Sequence, residues 1–65
     1  MVRITRGLKR CRERMKMSQC ELAMLLGLTQ TTVSNYERGL REPSIEILLR
    51  IAQVLDTSVD ELLSD

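Results

Sequence analysis

The chain has 65 residues, 43% of them hydrophobic and 29% charged, with two cysteines, no histidine and a single aromatic residue, Tyr36. That length makes one domain, 1–65, whose folding buries only about 60% of its unfolded surface. The chain must therefore lean on good helix packing, because Cys11 and Cys20 without a histidine complete neither a four-ligand zinc site nor a disulfide framework.

The net charge of +1 hides an asymmetry. Residues 1–16 carry Arg3, Arg6, Lys9, Arg10, Arg12, Arg14 and Lys16 against Glu13 alone, a net +6. Residues 42–65 carry Glu42, Glu46, Asp56, Asp60, Glu61 and Asp65 against Arg50 alone, a net −5. One end can face a polyanion and the other cannot.

In chain order, the first predicted helix runs from about Thr5 to Met15. Its apolar stripe is Ile4, Leu8, Cys11 and Met15 at i, i+4, i+7, i+11. Ser18 and Glu21 form a capping box that starts a second helix, Gln19 to Leu26, with Leu22, Ala23 and Leu26 on its inner face. Gly27 stops it, since glycine takes the left-handed conformation without steric penalty. Thr29 caps a third helix, Gln30 to Arg38, which Gly39 ends. That helix turns Val33 and Tyr36 inward and leaves Gln30, Thr31, Ser34 and Asn35 outward. Pro43 and the cap Ser44 open a fourth helix, Ile45 to Leu55. Its apolar residues spread over more than roughly 200°, where one core face takes a little over ~100°. Ile45, Leu48, Leu49, Ala52 and Leu55 form the expected core side, Ile51 its edge, and Ile47 and Val54 a surplus flank. Ser58 and Glu61 make a second capping box, for a short fifth helix through Leu63.

No strand alternation, linker or repeat interrupts this order, so the fold class is all-α, a compact five-helix bundle. The run from Ser18 to Gly39 is the central feature. Two short helices meet at a tight turn, and the second exposes amides and hydroxyls, the pattern of a helix-turn-helix that reads DNA bases. A Gln or Asn amide donates to N7-type and accepts from N6-type partners at once on adenine. Gln30, in the first turn of the third helix, is the foremost candidate. Arg10, Arg14, Arg38 and Arg41 are candidate phosphate contacts. Cys11 reads as a small core hydrophobe, and Cys20, near a helix start, as the more reactive thiol.

The pieces LKRCRERMKMSQ, ELAMLLG, Val33, Tyr36, Glu37 and Gly39, EPS before the fourth helix, and LDTSVDELL at the end resemble the Xre/Cro-type helix-turn-helix repressors of phages and bacteria. The likeness covers about Leu8 to Leu63. It implies a lambda-repressor-like bundle whose third helix enters the major groove of double-stranded DNA. It puts base reading on Gln30, Thr31, Ser34 and Asn35, and phosphate contact on Gln19 and the segment after Gly39. It also implies an ion pair between Arg12 and Glu37. Lys16 and Asp56 depart from the pattern: each stands where glycine is frequent, at a position expected to be left-handed.

The resulting expectation is a transcriptional regulator, a repressor acting as a homodimer on a two-fold operator, paired through Ile47, Val54, Leu62 and Leu63. An antitoxin with a protein partner, or a restriction-modification controller, are the alternatives. Gly7, Gly27 and Gly39 are isolated and make no phosphate-cradling loop, and no general-base constellation is present, so neither catalysis, cofactor nor metal is expected. No apolar run approaches the ~20 residues that span a membrane. Free cysteines without a secretory signal fit a reducing cytoplasm.

Overall fold

Four of the helices begin where a short polar side chain satisfies a free N–H group; the first, preceded by Ile4, has no side-chain cap. The computed structural model describes residues 4–64; residues 1–3 and 65, and with them the Arg3 and Asp65 counted above, lie outside. Among the described residues five helices form: α1 (Thr5–Arg14), α2 (Gln19–Leu26), α3 (Gln30–Arg38), α4 (Ile45–Val54) and α5 (Val59–Leu63). No strand occurs among the described residues. Ser18, Thr29, Ser44 and Ser58 cap α2 to α5, each accepting from the backbone N–H three residues on. At α2 the box is reciprocal: Glu21 Oε1 accepts from the Ser18 N–H at 2.9 Å. Those bonds hold the Glu21 carboxyl below its ordinary range. At α5 only half the box forms, since the Glu61 carboxylate points instead to Arg10, 3.7 Å away.

Helix ends divide into two kinds. Gly27 and Gly39 close α2 and α3 at φ +70° and +75°. After α1 and α4 the same left-handed turn is made by Lys16 (φ +55°) and Asp56 (φ +51°), as the two departures from the glycine pattern led one to expect.

The core joins Ile4, Leu8 and Cys11 of the α1 region to Leu22, Ala23 and Leu26 of α2, and Val33 and Tyr36 of α3. Leu48, Ile51, Ala52 and Leu55 from the α4 region and Leu62 of α5 complete it. α3 packs on α2 and α1, while α5 packs on α1 and α4, so α1 stands between α3 and α5.

Four expectations need correction. Met15 leaves the α1 stripe and is exposed, because α1 ends at Arg14 and Met15 turns out of helical phase. The core side of α4 is rotated from the expected one: Ile51 is wholly buried, while Ile45 and Leu49 are 74% and 52% exposed. Ile47 and Val54, expected as the uncovered flank, pack against the core. The reason is a contact that periodicity alone does not reveal. Arg50, next to them around the helix, donates to the Leu26 carbonyl at 2.9 Å and brings the end of α2 over that flank. Lastly, Leu62 is wholly buried within the chain and offers no side-chain surface to a second copy.

Candidate nucleic-acid interface

The third helix is tied to its neighbours by one part-buried polar network. Arg12 of α1 donates through Nε to Glu37 Oε2 at 2.7 Å and through Nη2 to Glu37 Oε1 at 3.1 Å, a two-point ion pair. Its Nη1 donates to the Met17 carbonyl at 2.7 Å. Gln19 Nε2 donates to the same Glu37 Oε1 at 3.1 Å. The side chains of Arg12 and Glu37 are only 11% and 5% exposed. The hydrogen bond that Arg12 donates to Glu37 raises the Arg12 pKa above its ordinary value. One carboxylate thus ties the middle of α1, the start of α2 and the last turn of α3 together. Gln19 was expected at a phosphate; its amide nitrogen is engaged inside the protein, which leaves the first N–H groups of α2 and its amide oxygen at the surface.

Outward from that anchor lies the polar face of α3. Gln30 and Thr31 are exposed, and Ser34 and Asn35 are half-buried one turn further on. Among the described residues, none of these four side chains hydrogen-bonds to any other group. The hydroxyl of Thr32, by contrast, is tied to Thr29 Oγ1 at 2.9 Å. Four adjacent polar side chains with unused donors and acceptors on a rigid helix are what base-edge reading needs. Beyond Gly39, the N–H groups of Leu40 and Arg41 both return to the Asn35 carbonyl, at 2.9 and 3.3 Å. That closure folds Arg41 back against the end of α3, beside Arg38, and both arginines are exposed.

Arg10 and Arg14 are placed elsewhere. The Arg10 guanidinium donates to the Glu61 carbonyl at 3.0 Å and to Ser64 Oγ at 2.8 Å, capping the end of α5. Arg14 Nη2 reaches Thr57 Oγ1 at 3.4 Å. Both therefore lie on the α5 side of α1, away from Arg38 and Arg41. Cys11 is buried and Cys20 exposed. Among the described residues no group of three or more Cys, Asp or Glu side chains converges as a metal site, and no helix is long and apolar enough to cross a membrane.

Two capped helices joined through Gly27 and locked at a fixed angle by Glu37 define a helix-turn-helix domain. The chain belongs to the helix-turn-helix family, whose profile matches residues 8–62. It is 42% identical over 57 residues to the HTH-type transcriptional regulator YqaE of Bacillus subtilis, covering 88% of this chain and 49% of that one. Among solved structures, the restriction-modification controller protein C.AhdI from Aeromonas hydrophila superposes with a TM-score of 0.84 at 36% identity, over 94% of this chain and 92% of that one. Hydroxypropylphosphonic acid epoxidase from S. wedmorenis contains a similar unit, with a TM-score of 0.89 at 39% identity, over 97% of this chain and 35% of the epoxidase. The chain spans between 29% and 49% of the length of the first three regulators it matches.

Proposed function

We propose that the chain binds double-stranded DNA in a sequence-specific way and regulates transcription, with α3 in the major groove. The observation that carries this reading is the set of four unpartnered polar side chains on α3, held outward by the Arg12–Glu37–Gln19 network. Gln30 and Thr31 read bases from the first turn, the part that penetrates deepest in this docking mode, and Ser34 and Asn35 read or position one turn on. The free N–H groups at the start of α2 and the guanidiniums of Arg38 and Arg41 hold phosphates.

A body of 24 × 22 × 19 Å contacts only a few base pairs, so the regulator acts as a homodimer on a two-fold operator. The surface for pairing is the flank left uncovered, Ile45 and Leu49 on α4 with Leu63 on α5. Repression by blocking polymerase is the simplest output of such a domain, and a cytoplasmic location follows from the role.

A second reading concerns only the genes controlled. The near end-to-end match to C.AhdI favours a controller of restriction-modification genes over an antitoxin held by a toxin. Selection of bound duplexes from a random pool at physiological salt tests the main reading. A two-fold symmetric consensus is the expected result, and no enrichment at any salt overturns it.

A further inference from the structure

The phosphate grip of α1 was expected from Arg10 and Arg14, yet both are committed to α5 and the turn before it. The adjoining strip of the same helix carries two other cations, Arg6 one turn before Arg10, and Lys9. Arg6 and Lys9 line a cleft of about 480 Å³ between the first turns of α1 and the end of α3, together with Arg38, Arg41, Glu37 and Glu42. The side chains of Arg6, Lys9, Arg38 and Arg41 make no hydrogen bond or ion pair among the described residues. Glu37 is already neutralised by Arg12, so positive charge dominates the cleft. Around the helix, Lys9 lies close to Arg12, the residue that faces α3, whereas Arg10 and Arg14 lie toward Thr57 and Ser64. The cleft therefore continues the α3 side of the molecule.

From this arrangement we propose that the cleft grips the sugar–phosphate backbone flanking the bases that α3 reads, with Arg6 and Lys9 supplying two contacts beyond those of Arg38 and Arg41. The inference rests on the DNA-binding reading above. Four cations lining a concave surface with one effective acid concentrate field lines and draw in phosphate. Their long side chains, free of internal partners, can follow a backbone without breaking any contact in the fold. Because phosphates carry no sequence information, this grip adds affinity and register rather than base choice.

The test compares two duplexes carrying the selected consensus, one ending at its edges and one extended by about half a helical turn on each side. Binding is titrated against salt for the parent and for the double variant R6A/K9A. Each neutralised phosphate adds about −0.9 to the log–log slope, so on the extended duplex the variant's slope is shallower by about 2, near a tenfold difference in affinity loss between 50 and 200 mM salt. On the short duplex parent and variant coincide, and the exchanged pair R6K/K9R retains the parent slope on both. An unchanged slope on the extended duplex overturns the proposal alone, as does an equal reduction on both duplexes, which marks a diffuse field. Displacement of DNA by inorganic pyrophosphate, but not by chloride at matched ionic strength, makes the cleft a small-anion site and also overturns it. Failure of both duplexes to bind at low salt removes the DNA-binding reading and this inference together. Both side chains are exposed, and melting curves of the variants confirm that the fold is intact.

Discussion

At the scale of single residues, Glu37 and Gln30 separate architecture from recognition. Glu37 accepts from Arg12 twice and from Gln19 once, at 5% exposure, so its loss leaves a largely enclosed guanidinium without its counter-charge. Glu37→Ala is expected to lower stability by about 3 kcal/mol or more. For a domain this size that drops Tm by more than about 10 °C; a variant that melts with the parent shows the pair to be idle. Gln30 behaves in the opposite way, because it is exposed and its side chain hydrogen-bonds to no described residue. Gln30→Ala should melt like the parent, lose about 1–3 kcal/mol on its preferred duplex and relax choice at one base pair. An equal loss on random DNA would assign Gln30 to the backbone instead. Gln30 was legible from the sequence because helix phase alone decides which side chains face out. The partner of Gln19 was not, because its amide meets a carboxylate 18 residues away in the chain.

At the scale of elements, every helix was legible within a residue or so, and for α2 to α5 the reason is local: Ser18, Thr29, Ser44, Ser58, Gly27 and Gly39 mark ends by chemistry that no tertiary contact overrides. What the sequence hid is how the helices sit on one another. Gly7 is the clearest case. It looks like an isolated glycine inside a helix, yet a Cβ there would lie 2.6 Å from the Leu62 carbonyl carbon and 2.8 Å from the Glu61 oxygen. These are backbone atoms and cannot swing aside, so the lack of a side chain is what lets α1 and α5 touch. Gly7→Ala gains helix propensity worth about 1 kcal/mol but forces α5 away, and a net loss of about 1–3 kcal/mol is expected. Hydrogen exchange should show α5 opening first, and a variant with parent-like protection there would refute the close approach. The helix ends at Lys16 and Asp56 invite the reverse experiment. Lys16 is exposed and left-handed at φ +55°, a conformation that opposes its side chain by about 1–2 kcal/mol. Lys16→Gly removes that strain, although glycine loses more freedom on folding. A net gain of about 0.5–1 kcal/mol is expected in denaturant titration, and a loss would show that the freedom glycine gives up outweighs the strain relieved.

At the scale of the whole molecule, the question is what covers Ile45, Leu49 and Leu63, which are 74%, 52% and 40% exposed. Burial of a large aliphatic side chain is worth about 1.5–3 kcal/mol, and these three lie on the acidic third of the chain and do not line the basic cleft. Pairing there would leave both copies of α3 free. With a body 24 Å in its longest extent, two abutting copies can set their reading helices about 34 Å apart, one turn of duplex. The charge balance adds a signature: residues 42–65 hold a net −5, so two such faces repel. Screening should strengthen self-association as salt rises, while the same salt weakens contact with phosphate. Operator affinity should therefore pass from steep concentration dependence at low salt toward a simpler isotherm of preformed dimers at higher salt. The variant Ile45→Glu/Leu49→Glu sharpens the test. Its first acid sits in the opening turn of α4, where the helix dipole favours it, and neither position is buried, so the fold is expected to survive. Sedimentation velocity should find this variant monomeric at concentrations where the parent is paired, with half-site binding retained and full-site affinity lost by about a hundredfold, or roughly 2.7 kcal/mol. Full-site affinity equal to the parent's would show that the two copies meet on the DNA through some other face.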